Sequence, residues 1–258
     1  MRRLSILAVT ATVLAAAFVG PANAVKGCFG SAPTIVGTEG DDTLRGTRGD
    51  DVIAGLGGND TILGGRGNDK ICGGRGRDVV AGRDGDDKIS GGKGNDTLRG
   101  GDDRDSIFGG RGIDLINGGS HADLLNGGKA RDIINGGGGI ADDRLFGGAD
   151  PDRMKGGRGS DILVGGDGND TLFGGRGPSD GRVVRGSNSN DFIRGGKGND
   201  RIYGSSGDDR LKGERGSDQV FGGSNNDRLN GGRGTDKLDG GPGSDSCVKG
   251  ETNISCND

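Results

Sequence analysis

The chain has 258 residues, of which 63 are glycine, 28% are hydrophobic and only 3% are aromatic. Its formal net charge is −4, with basic and acidic residues interspersed along the sequence. This composition excludes an ordinary globular core, and it argues against a nucleic-acid binder, which would show a basic patch with interleaved aromatic residues. Any ordered structure must therefore come from a repeated pattern.

Residues 1–24 have the features of a secretory signal peptide. Arg2 and Arg3 precede an apolar run from Leu4 to Val19, and the segment ends in Ala22-Asn23-Ala24, a small-residue cleavage signature. The run is short for a membrane anchor and ends at a cleavage site. We therefore predict a secreted, extracellular protein with no transmembrane anchor after signal removal and a mature net charge of −6.

From Gly37 the sequence repeats every nine residues, beginning GTEGDDTLR, GTRGDDVIA and GLGGNDTIL. The pattern fills residues 37–248 with 21 regular copies and two longer ones, at 136–146 and 174–185. Positions 1, 2 and 4 are mostly glycine, position 6 is Asp in every regular copy and position 8 is apolar. Residues 25–36, with Ile35 in a half-repeat, and residues 249–258 are predicted N-terminal and C-terminal caps, which stacked repeats need.

Each copy predicts one short strand and one turn. Position 8 and its two neighbours make a three-residue strand with one inward side chain, and the six glycine-rich residues turn the chain, because glycine reaches positive φ without strain. Two copies, or 18 residues, make one coil with a strand in each of two facing sheets. The fold class is an all-β, parallel solenoid.

Such a solenoid has a thin core of one aliphatic side chain per nine residues. Burying these side chains stabilises the fold by less than the ordering of the backbone costs. Stacking also brings the position-6 carboxylates of alternate copies to ~5 Å, where two charges repel by roughly 3 kcal/mol at an effective dielectric constant near 20. A cation between the coils would remove this repulsion. Carboxylate and carbonyl oxygens favour Ca²⁺ over Mg²⁺ or Zn²⁺.

The copies resemble the RTX (hemolysin-type) calcium-binding repeat, G-G-x-G-x-D-x-U-x. The resemblance implies a right-handed parallel β-roll that binds multiple Ca²⁺ ions between successive turns, through position-6 carboxylates and turn carbonyls. Ligands on one side of the coil would follow the spacing of Asp42 and Asp60, and those on the other side the spacing of Asp51 and Asp69. The metal ligands that it predicts are Asp42, Asp51, Asp60, Asp69, Asp78, Asp87, Asp96, Asp161, Asp170, Asp200, Asp209, Asp218, Asp227, Asp236 and Asp245.

Some copies depart from this pattern. Residues other than glycine at position 4 tolerate a left-handed backbone less well, so the turns between about 100 and 155 are expected to bind metal weakly or not at all. In the long copy 174–185 the carboxylate position falls on Arg182, which predicts a gap in that row. The position-4 departures are Asp103, His121, Ala130, Asp150, Ser189 and Asn225.

The alternative for the Asp columns is a solvated acidic face neutralised by nearby arginines such as Arg66, Arg75, Arg111 and Arg158. Exposed pairs of that kind contribute little, and they do not require Asp at one position in every copy. His121 has no histidine partner and is interpreted as incidental. No hydrolase, metalloprotease or P-loop motif occurs, so we predict that the protein is not an enzyme.

The four cysteines lie near the two ends of the mature chain, and an exported chain favours disulfides. Among three alternative pairings we expect Cys28 with Cys72 and Cys247 with Cys256. Aromatic residues occupy outward position 9, and the 18-residue spacing places Leu115 with Ile133, and Tyr203 with Phe221, on common faces. Packing between strands is the favoured interpretation of these residues, and a docking strip is the alternative.

The sequence therefore predicts a secreted calcium-binding repeat protein that folds on Ca²⁺ and acts as an extracellular structural or adhesive module. Alternatives are a surface protein that binds a cell-surface partner or an anionic glycan through its arginine-rich turns, and, less favoured, a polysaccharide-active enzyme. Ice binding would need a regular threonine array, whereas these turns carry Arg, Lys and Asn.

Overall fold

The computed structural model describes residues 27–174 and 190–248 together with the strand Ile254–Ser255. The described chain forms 24 strands in two sheets of twelve, and all the pairings within the sheets are parallel. Sheet 1 contains β1 (Ile35–Val36), β3 (Val52–Gly57), β5 (Lys70–Arg75), β7 (Lys88–Lys93), β9 (Ser106–Arg111), β11 (Leu124–Lys129), β13 (Arg144–Ala149), β15 (Ile162–Asp167), β17 (Phe192–Lys197), β19 (Arg210–Arg215), β21 (Arg228–Arg233) and β23 (Ser246–Val248). Sheet 2 contains β2 (Thr43–Arg45), β4 (Thr61–Arg66), β6 (Val79–Asp84), β8 (Thr97–Asp102), β10 (Leu115–Gly119), β12 (Ile133–Gly137), β14 (Arg153–Lys155), β16 (Thr171–Phe173), β18 (Arg201–Ser206), β20 (Gln219–Ser224), β22 (Lys237–Asp239) and β24 (Ile254–Ser255).

The chain alternates between the two sheets with every nine-residue copy. Strands of one sheet pair at a separation of 18 residues, as Ile71 does with Ile89 in sheet 1. This confirms the predicted solenoid with two copies per coil. We call the turns from sheet 1 to sheet 2 edge 1, and those from sheet 2 back to sheet 1 edge 2.

Most strands are longer than the three residues predicted. In β9 and β11 the pairing covers positions 7 to 9 and resumes at positions 2 and 3, as in Gly110 with Gly128. Position 1, occupied by Gly109 and Gly127, lies between the two paired segments. The prediction that positions 1 to 3 belong to the turn is therefore wrong, because glycine at position 1 bends the strand without ending its pairing.

The core is a single stack of position-8 side chains between the sheets. From Ile53 to Leu238 these residues are 0–2% exposed and form one continuous cluster, against which Ile35, Leu44 and Cys247 pack partly buried. Ile35 pairs with Ile53 at the start of sheet 1, which confirms the predicted half-repeat. Each coil therefore supplies only two core side chains, so the stability of the fold depends on the contacts that the turns make.

Both long copies are accommodated without loss of register. Across 136–146 two extra residues extend a turn, so that Arg144 pairs with Leu124 at a separation of 20. Across 174–185 Ile162 pairs with Phe192 at a separation of 30, which places twelve extra residues between Gly174 and Asn190. Arg182 lies outside the described residues, and the position-6 role in this coil belongs to Asp191. The predicted gap in the row is therefore wrong.

Four turns keep a left-handed backbone where the position-4 glycine is replaced. Asp103, Ala130, Asp150 and Asn225 have φ of 74°, 79°, 78° and 86°, whereas His121 does not have a positive φ. Four residues at position 2 also have positive φ, which the sequence analysis did not anticipate: Leu56, Arg83, Ser205 and Glu214. The solenoid therefore imposes left-handed backbone at two positions of the repeat, even on side chains that disfavour it.

The N-terminal segment is fastened to the outer face of sheet 1. Cys28 forms a disulfide with Cys72, as predicted, and Phe29 contacts Phe108 with ring centroids 6.3 Å apart. Lys70 Nζ donates to Ser31 Oγ at 2.7 Å. Cys247 also lies in a disulfide. Cys256, its expected partner, lies outside the described residues, so that pairing stays a prediction.

The outward aromatic residues pack between strands, as the favoured interpretation proposed. Phe173, Tyr203 and Phe221 stack on the outer face of sheet 2 with centroids 4.9 and 5.0 Å apart. Leu115 pairs with Ile133 on the same face, and both are exposed. No helix long and apolar enough to cross a membrane occurs in the described ranges, and the predicted signal peptide lies outside them.

Candidate metal centres

The position-6 aspartates form two rows inside the solenoid. In each row, Oδ1 of one Asp accepts the backbone N–H of the Asp one coil earlier, as Asp132 does from Asp114 at 2.8 Å. Row 1 follows edge 1 and contains Asp42, Asp60, Asp78, Asp96, Asp114, Asp132, Asp152, Asp170, Asp200, Asp218 and Asp236. Row 2 follows edge 2 and contains Asp51, Asp69, Asp87, Asp105, Asp123, Asp143, Asp161, Asp191, Asp209, Asp227 and Asp245.

Except for the half-buried Asp42 at the start of row 1, these carboxylates are buried, from 0% exposed at Asp78 to 9% at Asp245. The alternative of a solvated acidic face neutralised by arginines is therefore wrong. The described ion pairs join exposed or half-buried side chains, such as Arg66 with Asp84 at 3.5 Å and Arg104 with Asp86 at 3.1 Å, and none of them includes a row member. The buried negative charge has no protein cation beside it in the described part of the chain.

The second carboxylate oxygen of most row members has no hydrogen-bond partner in the described structure. A buried acceptor without a donor costs roughly 1–3 kcal/mol, and more when it is charged. The residues with an unpartnered Oδ2 are Asp60, Asp69, Asp78, Asp87, Asp96, Asp105, Asp114, Asp123, Asp132, Asp152, Asp161, Asp170, Asp191, Asp200, Asp209, Asp218, Asp227, Asp236 and Asp245. Because the same unpartnered Oδ2 atom recurs along both rows, it indicates a set of metal ligands rather than an isolated packing defect.

The position-1 glycine leaves room beside each unpartnered oxygen. A Cβ placed on Gly109 would lie within 3.0 Å of both Asp114 Oδ2 and the carbonyl oxygen of Gly127 in the next coil. Gly100 has the same relation to Asp105 Oδ2 and the carbonyl oxygen of Gly118. The absence of a side chain at position 1 therefore keeps a carboxylate and a carbonyl oxygen facing one space between the coils.

Burial raises the pKa of many row carboxyls. The loss of solvent raises the pKa of Asp105 to about 8, with smaller contributions from the charges of Asp123 and Asp87, although the backbone N–H of Asp87 opposes the shift. Burial likewise raises the pKa of Asp191 to about 8 and of Asp96 to about 7. Without a counter-charge, these groups are held near the point where they would take up a proton at neutral pH.

The first member of each row is satisfied differently. Thr38 and Thr47 stand at position 2 in place of glycine, and each donates its backbone N–H and its hydroxyl to Oδ2 of the Asp four residues later. In Asp51 the two contacts are 2.6 and 2.9 Å. Asp42 and Asp51, both predicted ligands, therefore have protein donors where the later row members have none, and the two threonines cap the first coil.

Replacing Thr47 by Val should destabilise the calcium-loaded protein by about 1 kcal/mol, because Asp51 Oδ2 loses one donor while the side-chain shape is kept. The measurement is the thermal midpoint in calcium. Thr61→Val, on the exposed outer side of β4, is the matched control and should leave the midpoint unchanged. Equal midpoints for the two variants would contradict a capping role for Thr47.

The structure places seven further aspartates in the rows that the sequence analysis did not include among the ligands. All but Asp191 lie between residues 100 and 155, and their hydrogen bonds match those of the others: Asp105, Asp114, Asp123, Asp132, Asp143, Asp152 and Asp191. The turns between 100 and 155 thus keep the site geometry, and their weaker binding stays a prediction. Constancy of position 6 was the signal that could have included them.

A second set of contacts at position 5 was missed entirely. Oδ1 of Asn59 accepts the backbone N–H of Arg77 in the next coil at 2.8 Å, and Asn95 does the same for Ile113. His121 Nδ1 accepts from the Asp103 backbone at 2.9 Å, so this histidine links two coils. Asn and Asp at position 5 therefore fasten the outside of the turns, while position 6 fastens the inside.

The donor set suits a hard divalent cation. Carboxylate and carbonyl oxygens supply every candidate ligand, and Ca²⁺ accepts such oxygens in flexible geometry. No three His, Cys, Asp or Glu side chains converge within the described ranges, so backbone carbonyls must complete any site. The unpartnered Oδ2 atoms and the space beside the position-1 glycines both fit an ion between successive coils.

The profile of the RTX calcium-binding nonapeptide repeat matches residues 36–178 and 185–247. The chain belongs to the RTX calcium-binding nonapeptide repeat family. A solved structure, a hyperactive, Ca²⁺-dependent, β-helical antifreeze protein from an Antarctic bacterium, is 19% identical, with a TM-score of 0.52 over 83% of this chain and 82% of that one. This likeness confirms the β-solenoid fold of the RTX chain. No curated protein matches.

Proposed function

We propose that this RTX chain is a secreted structural module whose solenoid assembles when calcium occupies the spaces between its coils. The observation that carries the proposal is the pair of rows of buried carboxylates with unpartnered Oδ2 atoms. The residues that would hold the ions are the row aspartates and the carbonyl oxygens of the position-1 glycines. Bound calcium would supply positive charge that offsets the burial and mutual repulsion of these carboxylates.

Secretion and a structural role rest on separate observations. The predicted signal peptide and the Cys28–Cys72 disulfide both suit an oxidising, extracellular location. The rows engage their carboxylates in backbone contacts and aim them at the space between coils, which suits ion binding better than proton transfer to a substrate. We therefore assign the chain a structural or adhesive role outside the cell and no catalytic one.

The site assignment is tested by substitutions at two neighbouring residues outside the turns of 100–155. Asp209 belongs to row 2, whereas Asp208 is an exposed turn residue. Asp209→Asn removes a ligand charge while keeping the side-chain shape, so equilibrium dialysis should show at least one calcium ion fewer per chain at saturation. Asp208→Asn removes the same charge from the surface and should keep the full number. Equal capacities for the two variants would refute the assignment.

A further inference from the structure

Edge 1 carries a row of cationic side chains over four successive coils. Position 3 of the repeat is the last residue of β5, β7, β9 and β11. It is occupied by Arg75, Lys93, Arg111 and Lys129, and each of these pairs in register with the next. All four are exposed and border one surface groove. Neighbouring strands in a sheet lie ~4.8 Å apart, so the row presents one positive charge per coil. We call these four residues the cationic ladder.

The ladder lies on a locally basic edge. Arg77 and Arg131 add two exposed cations at position 5 of the same edge, where the only acidic residues between Arg75 and Arg131 are the buried members of row 1. The exposed acidic residues of these coils lie on edge 2: Asp84, Asp86, Asp102 and Asp103. Charges that are interspersed along the sequence are therefore separated by the fold, because alternate copies turn at opposite edges.

No ion pair of the described chain includes a ladder residue. Elsewhere, position-3 charges are paired between coils: Lys197 Nζ lies 2.8 Å from Asp167 on edge 1, and Arg66 lies 3.5 Å from Asp84 on edge 2. Like charges directly opposite each other on neighbouring strands are unfavourable. The ladder is thus complementary to an anion whose charges repeat along the solenoid axis.

We propose that the cationic ladder binds a linear anionic polysaccharide that carries a charged group on each sugar and lies along edge 1. One pyranose unit of an extended chain is about as long as one coil is thick, so successive charges can meet successive cations. The groove is floored by Leu56 and by Gly74, Gly92 and Gly110 at position 2, where the absence of side chains lets a sugar ring approach the backbone. Nucleic acid is disfavoured because the turns of this edge carry no aromatic residue for base stacking.

The proposal gives a concrete function to the extracellular module and requires only that the solenoid be folded. The test measures the affinity of a labelled oligogalacturonate by fluorescence anisotropy at one fixed free calcium concentration, after strand content has been checked by circular dichroism. One variant combines R75Q, K93Q, R111Q and K129Q. The matched control combines R45Q, K88Q, R99Q and R158Q, four exposed cations outside the ladder, and so has the same net charge.

The ladder variant should bind at least about tenfold more weakly than the parent chain because four exposed charge pairs are lost, whereas the control should keep most of its affinity. Salt should weaken parent binding more steeply than ladder-variant binding. Equal losses in both variants, or full binding of a methyl-esterified, uncharged oligomer, would overturn the proposal. So would oligothymidylate binding as tightly as oligogalacturonate. Since all arms use folded chain at one calcium level, these outcomes are distinct from a failure of calcium-dependent folding.

Discussion

With excess chelator at neutral pH, the mature chain should lose its β-sheet circular dichroism and its resistance to protease, and added calcium should restore both cooperatively. The core contributes only two aliphatic side chains per coil, whereas most coils also bury two carboxylates with an unpartnered oxygen. Burying an ionised carboxylate without a counter-charge costs several kcal/mol even after relaxation. Repeated over both rows, this cost exceeds the 5–15 kcal/mol net stability typical of folded domains.

The experiment is a calcium titration of the chelated chain, followed by circular dichroism and limited proteolysis. Magnesium at the same concentrations is the control, and it should restore little structure because it demands tight octahedral geometry and retains its water. Cooperativity is expected because a row aspartate is bonded to the coils on both sides of its own. Asp114, for example, accepts from Asp96 through its side chain and donates to Asp132 through its backbone N–H. An unchanged β spectrum and undiminished protease resistance in excess chelator would contradict the proposed function.

The second large effect is a reversal of pH dependence between the calcium-free and calcium-loaded protein. Burial raises the pKa of Asp69 to about 6, of Asp87 to about 7 and of Asp105 to about 8, above the ordinary value near 3.8 that applies to the unfolded chain. At pH values between 3.8 and about 8, the folded state therefore binds more protons than the unfolded state. The stabilisation from protonation is complete below the unfolded pKa and is lost as pH rises through 6 to 8.

The metal-free chain should therefore gain strand content on acidification from pH 8 to about 5.5, because the row carboxyls with a raised pKa take up protons over this range. In calcium the dependence has the opposite sign, because protons compete with the ion, so the calcium midpoint should rise on acidification. Metal is best removed with a chelating resin, since soluble chelators weaken in acid. Greater disorder of the metal-free chain at pH 5.5 than at pH 8 would contradict burial as the source of the shifts.

The repeat alone was sufficient to predict the two-sheet solenoid, the inward position 8 and the two rows. A period of nine with one constant Asp and one constant aliphatic residue fixes which side chains coincide when alternate copies stack. The Cys28–Cys72 pairing followed from an exported chain with cysteines near both ends. None of these inferences required knowledge of side-chain contacts within a turn.

What sequence reasoning missed depends on contacts between coils. The Asn59 and Asn95 side chains act on the next coil, a relation that appears in the sequence only as a preference at position 5. The six-residue strands depend on pairing that resumes after a bent glycine. The left-handed backbone at position 2 could not be predicted from Leu56 and Arg83, because neighbouring coils impose a conformation that these side chains disfavour. The sequence indicated 174–185 as a longer copy, but the twelve extra residues that this coil holds became apparent only from the pairing of Ile162 with Phe192.

The insertion between Gly174 and Asn190 shows that the solenoid accepts additional residues within a turn. The connection between Gly174 and Asn190 is twelve residues longer than in a regular copy. The backbone N–H of Asp161 nevertheless donates to Asp191 Oδ1 at 2.7 Å, and β15 pairs in register with β17. The described coils on both sides of this segment keep the contacts of the regular coils. An equivalent turn elsewhere on the solenoid should therefore accept a foreign peptide as cargo, which makes the molecule a natural scaffold for display.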